Sequence, residues 1–209
     1  MEPALGHPFD PFRIARLKTE LAALGAVTEV GFAAGGAEVA RLQRLAAELE
    51  ALNPTARPAR AAALLRGRWH LVYASFGLLR RSTLAALSFG ALPRTEVDVV
   101  EIYQETEPAT GWYDNVVHLI DADGLPATLV VAGTYAVRDD RAIDIRFERA
   151  LLYGERPRIE RPIDPERHPP LLTRLSFLDD GFRLVRGSGG SLYVLERLDP
   201  APMRWAREA

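Results

Sequence analysis

The sequence predicts a mainly β protein, an antiparallel up-and-down barrel of about eight strands preceded by two or three helices. Three observations predict it. From residue 69 onward, segments of alternating apolar and polar residues are divided by turn residues at roughly 8–12-residue spacing. Before residue 66 the apolar residues recur at helical spacing instead. Residues 175–197 read as two β runs joined by a glycine-rich turn at 187–190, an antiparallel hairpin that closes the series. The strand count alone suits a sandwich or a barrel, and continuous hairpin connections favour the barrel. The chain divides into an N-terminal helical segment over 1–65 packed on the barrel, the barrel over 66–198, and a tail over 199–209.

Asp10 and Pro11 open the first helix as an N-cap acceptor and a residue whose missing N–H costs nothing at N1. Ile14, Leu17, Leu21 and Leu24 form its apolar stripe, and Gly25 reads as its stop. Val39, Leu42, Leu45, Leu49 and Leu52 draw a second stripe, ended by Asn53 and Pro54. A short third helix is expected over 58–65. Residues 69–75 then form the first strand, with Trp69, Leu71 and Tyr73 on one face by the two-residue period. Residues 78–92 suit a helix or an ordered lid. Strands follow at 97–104, 112–120, 128–137 and 142–152, and residues 154–170, rich in proline, arginine and acid, read as one long surface loop. The tail is expected to be peripheral, with Trp205 able to dock.

Composition narrows the function. The 209 residues are 48% hydrophobic and 26% charged, ordinary values for a globular chain. A formal net charge of -2 gives no whole-chain electrostatic case for nucleic acid. With no cysteine there is no disulfide, thiol nucleophile or Cys-ligated zinc. No apolar run reaches the ~18 residues of a membrane span, and the first residues lack the basic-then-apolar pattern of a secretory signal. A soluble intracellular protein is the expectation.

No catalytic constellation is legible. Residues 187–190 imitate a phosphate loop, but the chain continues as a strand, whereas a phosphate cradle feeds a helix N-terminus. Residues 121–124 start like a calcium loop without the glutamate at the twelfth position. His7, His70, His118 and His168 lack metal spacing. The chain is therefore read as a non-enzyme with no metal and no cofactor.

Residues 49–58 (LEALNPTARP), continuing into 64–75 (LLRGRWHLVYAS), resemble the entry segment of the plastid lipid-associated proteins, also called fibrillins. Residues 177–187 (FLDDGFRLVRG) and 192–195 (LYVL) resemble the closing segment of that family, with weaker signals at 102–104 and 115–116. The likeness covers roughly residues 13–197, with Gly181 departing where members often carry an acid. It implies a lipocalin-like barrel that binds a hydrophobic small molecule such as an isoprenoid, prenylquinone, carotenoid or fatty acyl lipid. It also implies peripheral association with a photosynthetic (thylakoid) membrane or lipid body. In the absence of a transit peptide, a cyanobacterial-type member is expected.

Gly67 and Trp69 match the Gly-x-Trp entry of lipocalin-like barrels, in which a large aromatic plugs one end and offers its face to a cation. Arg186, sharing a strand face with Phe182 and Leu184, is the expected cation, and Arg197 is the second choice. Tyr73, Tyr103, Tyr135 and Phe147 are the expected inward aromatics, the tyrosines able to offer hydroxyls to a ligand. Asp179 and Arg183 are expected to pair at the rim, where they could grip a polar head group. The competing function is an interaction protein with a filled barrel, docking a lipid surface or partner enzyme through its helices.

Overall fold

The computed structural model describes residues 10–33, 35–75, 79–155 and 157–202. Residues 1–9, His7 among them, and the tail residue Trp205 lie outside the described residues.

α1 (Pro11–Val27) begins where the sequence places it, with the Asp10 side chain accepting from the Arg13 N–H at 3.0 Å. Gly25 does not end it. A Cβ there would lie 2.5 Å from both the Cγ1 and the carbonyl oxygen of Val72, so this glycine lets the helix lie close on the barrel. α2 (Gly36–Glu50) follows, and the expected third helix is a 3-10 turn over Pro58–Arg60 followed by α3 (Ala62–Leu65). Asn53 does more than stop α2. Its side-chain amide donates to the Ser176 carbonyl at 3.1 Å and its oxygen accepts from the Leu178 N–H at 3.2 Å.

Eight antiparallel strands close on themselves in the order β1 (Gly67–Ala74), β10 (Leu192–Asp199), β9 (Phe182–Gly187), β8 (Leu171–Leu178), β6 (Ala142–Tyr153), β5 (Pro126–Val137), β4 (Trp112–Ile120) and β3 (Glu96–Glu107). The β1–β3 pairing completes the ring, Gly67 opposite Thr106 through His70 opposite Tyr103. Closure leaves these strands no free edge. Two short strands lie off the ring. β2 (Arg81–Thr83) pairs β3 and leads into α4 (Leu84–Leu87), which gives the ambiguous 79–92 stretch a strand, a helical turn and a loop. β7 (Ile159–Pro162) pairs β6 inside the segment read from sequence as a plain surface loop; its side chains are half-buried or exposed, so no apolar alternation announced it.

Three apolar clusters result, a small one joining Tyr103, Val116, Val130, Ala132 and Leu151 on the outer face of β3 to β6. The barrel interior holds Trp69, Leu71, Tyr113, Val117, Leu129, Val131, Ile145, Phe147, Leu175, Val185 and Leu195. A second cluster lies between α1, α2 and the outer face of β1, β8, β9 and β10, joining Leu17, Leu21, Leu42 and Leu49 to Tyr73, Phe177, Phe182, Leu184 and Val194. Strand β9 is consequently buried on both faces along Phe182 to Val185.

Candidate ligand site inside the barrel

The interior polar groups meet at one place. Trp69 is fully buried, and its indole N–H donates to the Leu65 carbonyl at 3.0 Å. Two guanidinium groups lie on the ring, those of Arg183 and Arg197, each with Cζ 4.7 Å from its centroid. Arg197 also donates to the Leu64 carbonyl. Arg183, 1% exposed, donates from Nη2 to Gln104 Oε1 at 2.6 Å. The Tyr113 hydroxyl donates to the same oxygen at 2.6 Å. Asn115 is the register partner of Gln104 and so shares its face of the sheet.

From this centre an aromatic path leads outward. Tyr113 meets Tyr135 edge-on at 6.3 Å and Phe147 edge-on at 6.2 Å. Phe147 stacks on Phe89 at 5.2 Å, and Phe89 meets His168 at 5.4 Å. Phe89 stands in the loop after α4 with φ of 54°, a left-handed conformation uncommon for a bulky residue. Beside it is a cavity of about 190 Å³ lined by Phe89, Ile145, Phe147, Arg167, His168, Pro169 and Leu171, located where β6 leaves β8 for β7. A larger open depression of about 630 Å³ lies among Arg60, Asp139, Asp140 and Arg174. Its walls are charged and ion-paired, Arg60 to Asp140 at 2.7 Å, and unsuited to an apolar ligand.

Burial sets the electrostatics. It pushes the Arg183 pKa down; the phenols of Tyr113 and Tyr135 oppose this and Arg197 adds to it. It pushes Tyr113 up to about 12, against the opposing effect of Arg183. A phenol that stays neutral in the fold while its unfolded counterpart ionises near 10 makes the folded state bind more protons in that interval. Stability is therefore fully present below pH ~10 and falls as pH rises toward ~12, by roughly 1.4 kcal/mol per pH unit. In Tyr113→Phe this part of the alkaline loss should disappear, seen as a shallower decline of unfolding free energy between pH 10 and 11. An unchanged slope would show that Tyr113 is not the group responsible.

Of the residues expected to face the ligand, Trp69, Tyr135, Phe147 and Arg183 lie inside the barrel. Four expectations are corrected. Arg186 does not reach Trp69: it binds Glu50 at 2.8 and 3.3 Å and Gln43 at 2.6 Å, on the outer face under α2. Phe182 and Leu184 face the helices too, so the strand face assigned to the interior is the covered exterior. Asp179 does not pair with Arg183. It accepts from Lys18 Nζ at 2.7 Å and from the N–H groups of Gly181 and Phe182, holding α1 to the β8–β9 turn. Tyr73 packs beneath the helices, because a bulge between Leu71 and Tyr73 reverses the strand's parity. Tyr103 faces outward for the same reason, a bulge between Val99 and Glu101, and its hydroxyl meets His118 Nε2 at 3.1 Å.

Tyr113 and Phe89 were not singled out from sequence, and Gln104 and Asn115 entered only within weak family signals, with no site role assigned. Tyr113, Asn115 and Val117 do follow a two-residue period, the signal that could have found Tyr113 and Asn115. Among the described residues no group of three or more His, Asp or Glu side chains could hold a metal ion.

A closed eight-stranded antiparallel barrel with a Trp-plugged end, an aromatic interior and a helical cover places the chain in the up-and-down barrel class. The family assignment follows from comparison: the PAP_fibrillin model matches residues 15–196, and the chain belongs to this family of plastid lipid-associated proteins, the fibrillins. It is similar to the chloroplastic light-induced protein of Solanum demissum, 32% identical over 90% of this chain and 69% of that one. It is 27% identical to a probable plastid-lipid-associated protein 2 of Arabidopsis thaliana, over 86% of this chain and 70% of the relative. Plastoglobulin-1 of Pisum sativum is 29% identical over 66% of this chain and 36% of its own length. No solved structure matches the chain significantly. No helix among the described residues is long and apolar enough to cross a membrane.

Proposed function

We propose that this protein is a non-enzymatic carrier or sequestering protein for a hydrophobic small molecule, an isoprenoid, prenylquinone, carotenoid or fatty acyl lipid. It acts at the surface of photosynthetic membranes or lipid bodies. The observation that carries this reading is the path from the mouth cavity at Phe89 and Phe147 to Tyr113, an apolar lining ending on convergent polar groups. Membership of a plastid lipid-associated family supports the lipid class. Cavity size favours a second reading. About 190 Å³ is below the ~300–1,000 Å³ usual for ligand pockets, so the filled barrel also suits an interaction protein that coats lipid or docks a partner through its helices.

Mass spectrometry of an organic extract of the purified protein distinguishes the two. A co-purifying lipid or pigment is expected, together with quenching of tryptophan fluorescence by that compound. Phe147→Ala should weaken the binding, whereas Tyr73→Ala, under the helices, should leave it unchanged. An empty extract with no quenching by prenylquinones or fatty acids would leave the coating reading standing instead.

A further inference from the structure

Arg183 poses a problem that its neighbours do not solve. Its guanidinium is 1% exposed, yet among the described residues no carboxylate pairs with it; its polar partner is the neutral amide of Gln104. An arginine remains charged even when buried, and an uncompensated buried charge is costly. Its Nε is buried without a hydrogen-bond partner, as is Asn115 Oδ1 on the same interior face. A second cation, Arg197, lies against the same indole ring and acts on it. The interior is thus short of one negative charge, next to unused hydrogen-bonding capacity, at the inner end of the aromatic path.

We propose that the barrel takes an amphipathic lipid with a carboxylate head group. Arg183 receives the carboxylate beside Gln104 and Asn115, and the hydrocarbon chain lies along Tyr113 and Phe147 toward the mouth at Phe89. The amide of Asn115 turns its N–H₂ toward the head group, an orientation interchangeable with the present one. A carboxylate matches the site in charge, one negative against the one fully buried guanidinium among the described residues, and in shape, since its two oxygens suit adjacent donors of a planar fork. A phosphate head shares the anionic chemistry but brings more charge than Arg183 neutralises. Entry of the chain displaces Phe89 from its stack on Phe147. This proposal rests on the carrier reading and narrows it to one ligand class.

The test uses the delipidated full chain and four probes of equal chain length: palmitate, methyl palmitate, hexadecanol and hexadecyl phosphate. Each is titrated against tryptophan fluorescence. Palmitate should bind the wild type at least ~10-fold tighter than the ester or alcohol, the scale of one charge-assisted interaction. In Arg183→Met the affinity for palmitate should fall to that of the same variant for hexadecanol; Arg183→Lys should retain part of the preference. Equal binding of palmitate and hexadecanol by the wild type would overturn the proposal and leave the carrier reading intact. So would a preference that survives in folded Arg183→Met. Tighter binding of hexadecyl phosphate than of palmitate would overturn the carboxylate assignment. Binding of none of the four would remove the proposal and the fatty acyl carrier reading together. The wild-type comparison decides the matter even if the methionine variant does not fold.

Discussion

Trp69→Ala is expected to lower the free energy of unfolding by ~3–5 kcal/mol, the usual cost of removing a fully buried large aromatic side chain. Three losses combine. The ring is completely enclosed, so its removal leaves a cavity where β1 enters the barrel. Its indole N–H no longer satisfies the Leu65 carbonyl at the end of α3. Arg183 and Arg197 also lose the ring against which both guanidinium groups lie. Equilibrium urea denaturation followed by far-UV circular dichroism measures the effect. A loss below 1 kcal/mol would show that the barrel end closes without its plug.

Gln104→Leu should cost about 3 kcal/mol by the same measurement, although leucine fits an apolar interior. One acceptor, Gln104 Oε1, serves both Arg183 and Tyr113, and removing it strands a buried cation and a buried hydroxyl together. A hydrogen bond to a charged group is worth ~1.5–3 kcal/mol, and an unpaired buried donor carries its own desolvation cost. The cost should shrink in a second background. With Arg183→Met already in place, the cation that needs the amide is gone, and Gln104→Leu should then cost only what the stranded Tyr113 hydroxyl costs, about 1 kcal/mol. The coupling between the two positions is the decisive quantity. Additive effects would mean that the amide and the guanidinium do not act as a unit.

The interior was legible where strands keep their period. Residues 142–147 of β6 alternate without interruption, and Phe147 is interior as expected, with Ile143 and Ile145 on the same face. It was illegible where a bulge inserts one residue. Tyr73 and Tyr103 each follow such an insertion, and a single extra residue moves every later side chain to the other face. Arg186 was misplaced for a different reason. Strand β9 has no bulge within it, but the helices cover its outer face, so Phe182 and Leu184 are as buried as Val185. With both faces apolar, alternation carries no information about which is inside.

The sequence alone determined the helical preface, the strand order and the family. Each is written in local signals: capping residues, periodicity, turn glycines, and the two motifs at the ends of the barrel. Tertiary structure decided which arginine meets Trp69, because that depends on which face of β9 the helices cover. It also decided that Arg183, placed by sequence at the rim beside Asp179, lies instead at the inner end of the barrel. The physical reason is common to both. A side chain's own neighbours fix its backbone conformation, but its burial and charge environment come from segments about 80 to 165 residues away: Gln104 for Arg183, Glu50 for Arg186, Lys18 for Asp179.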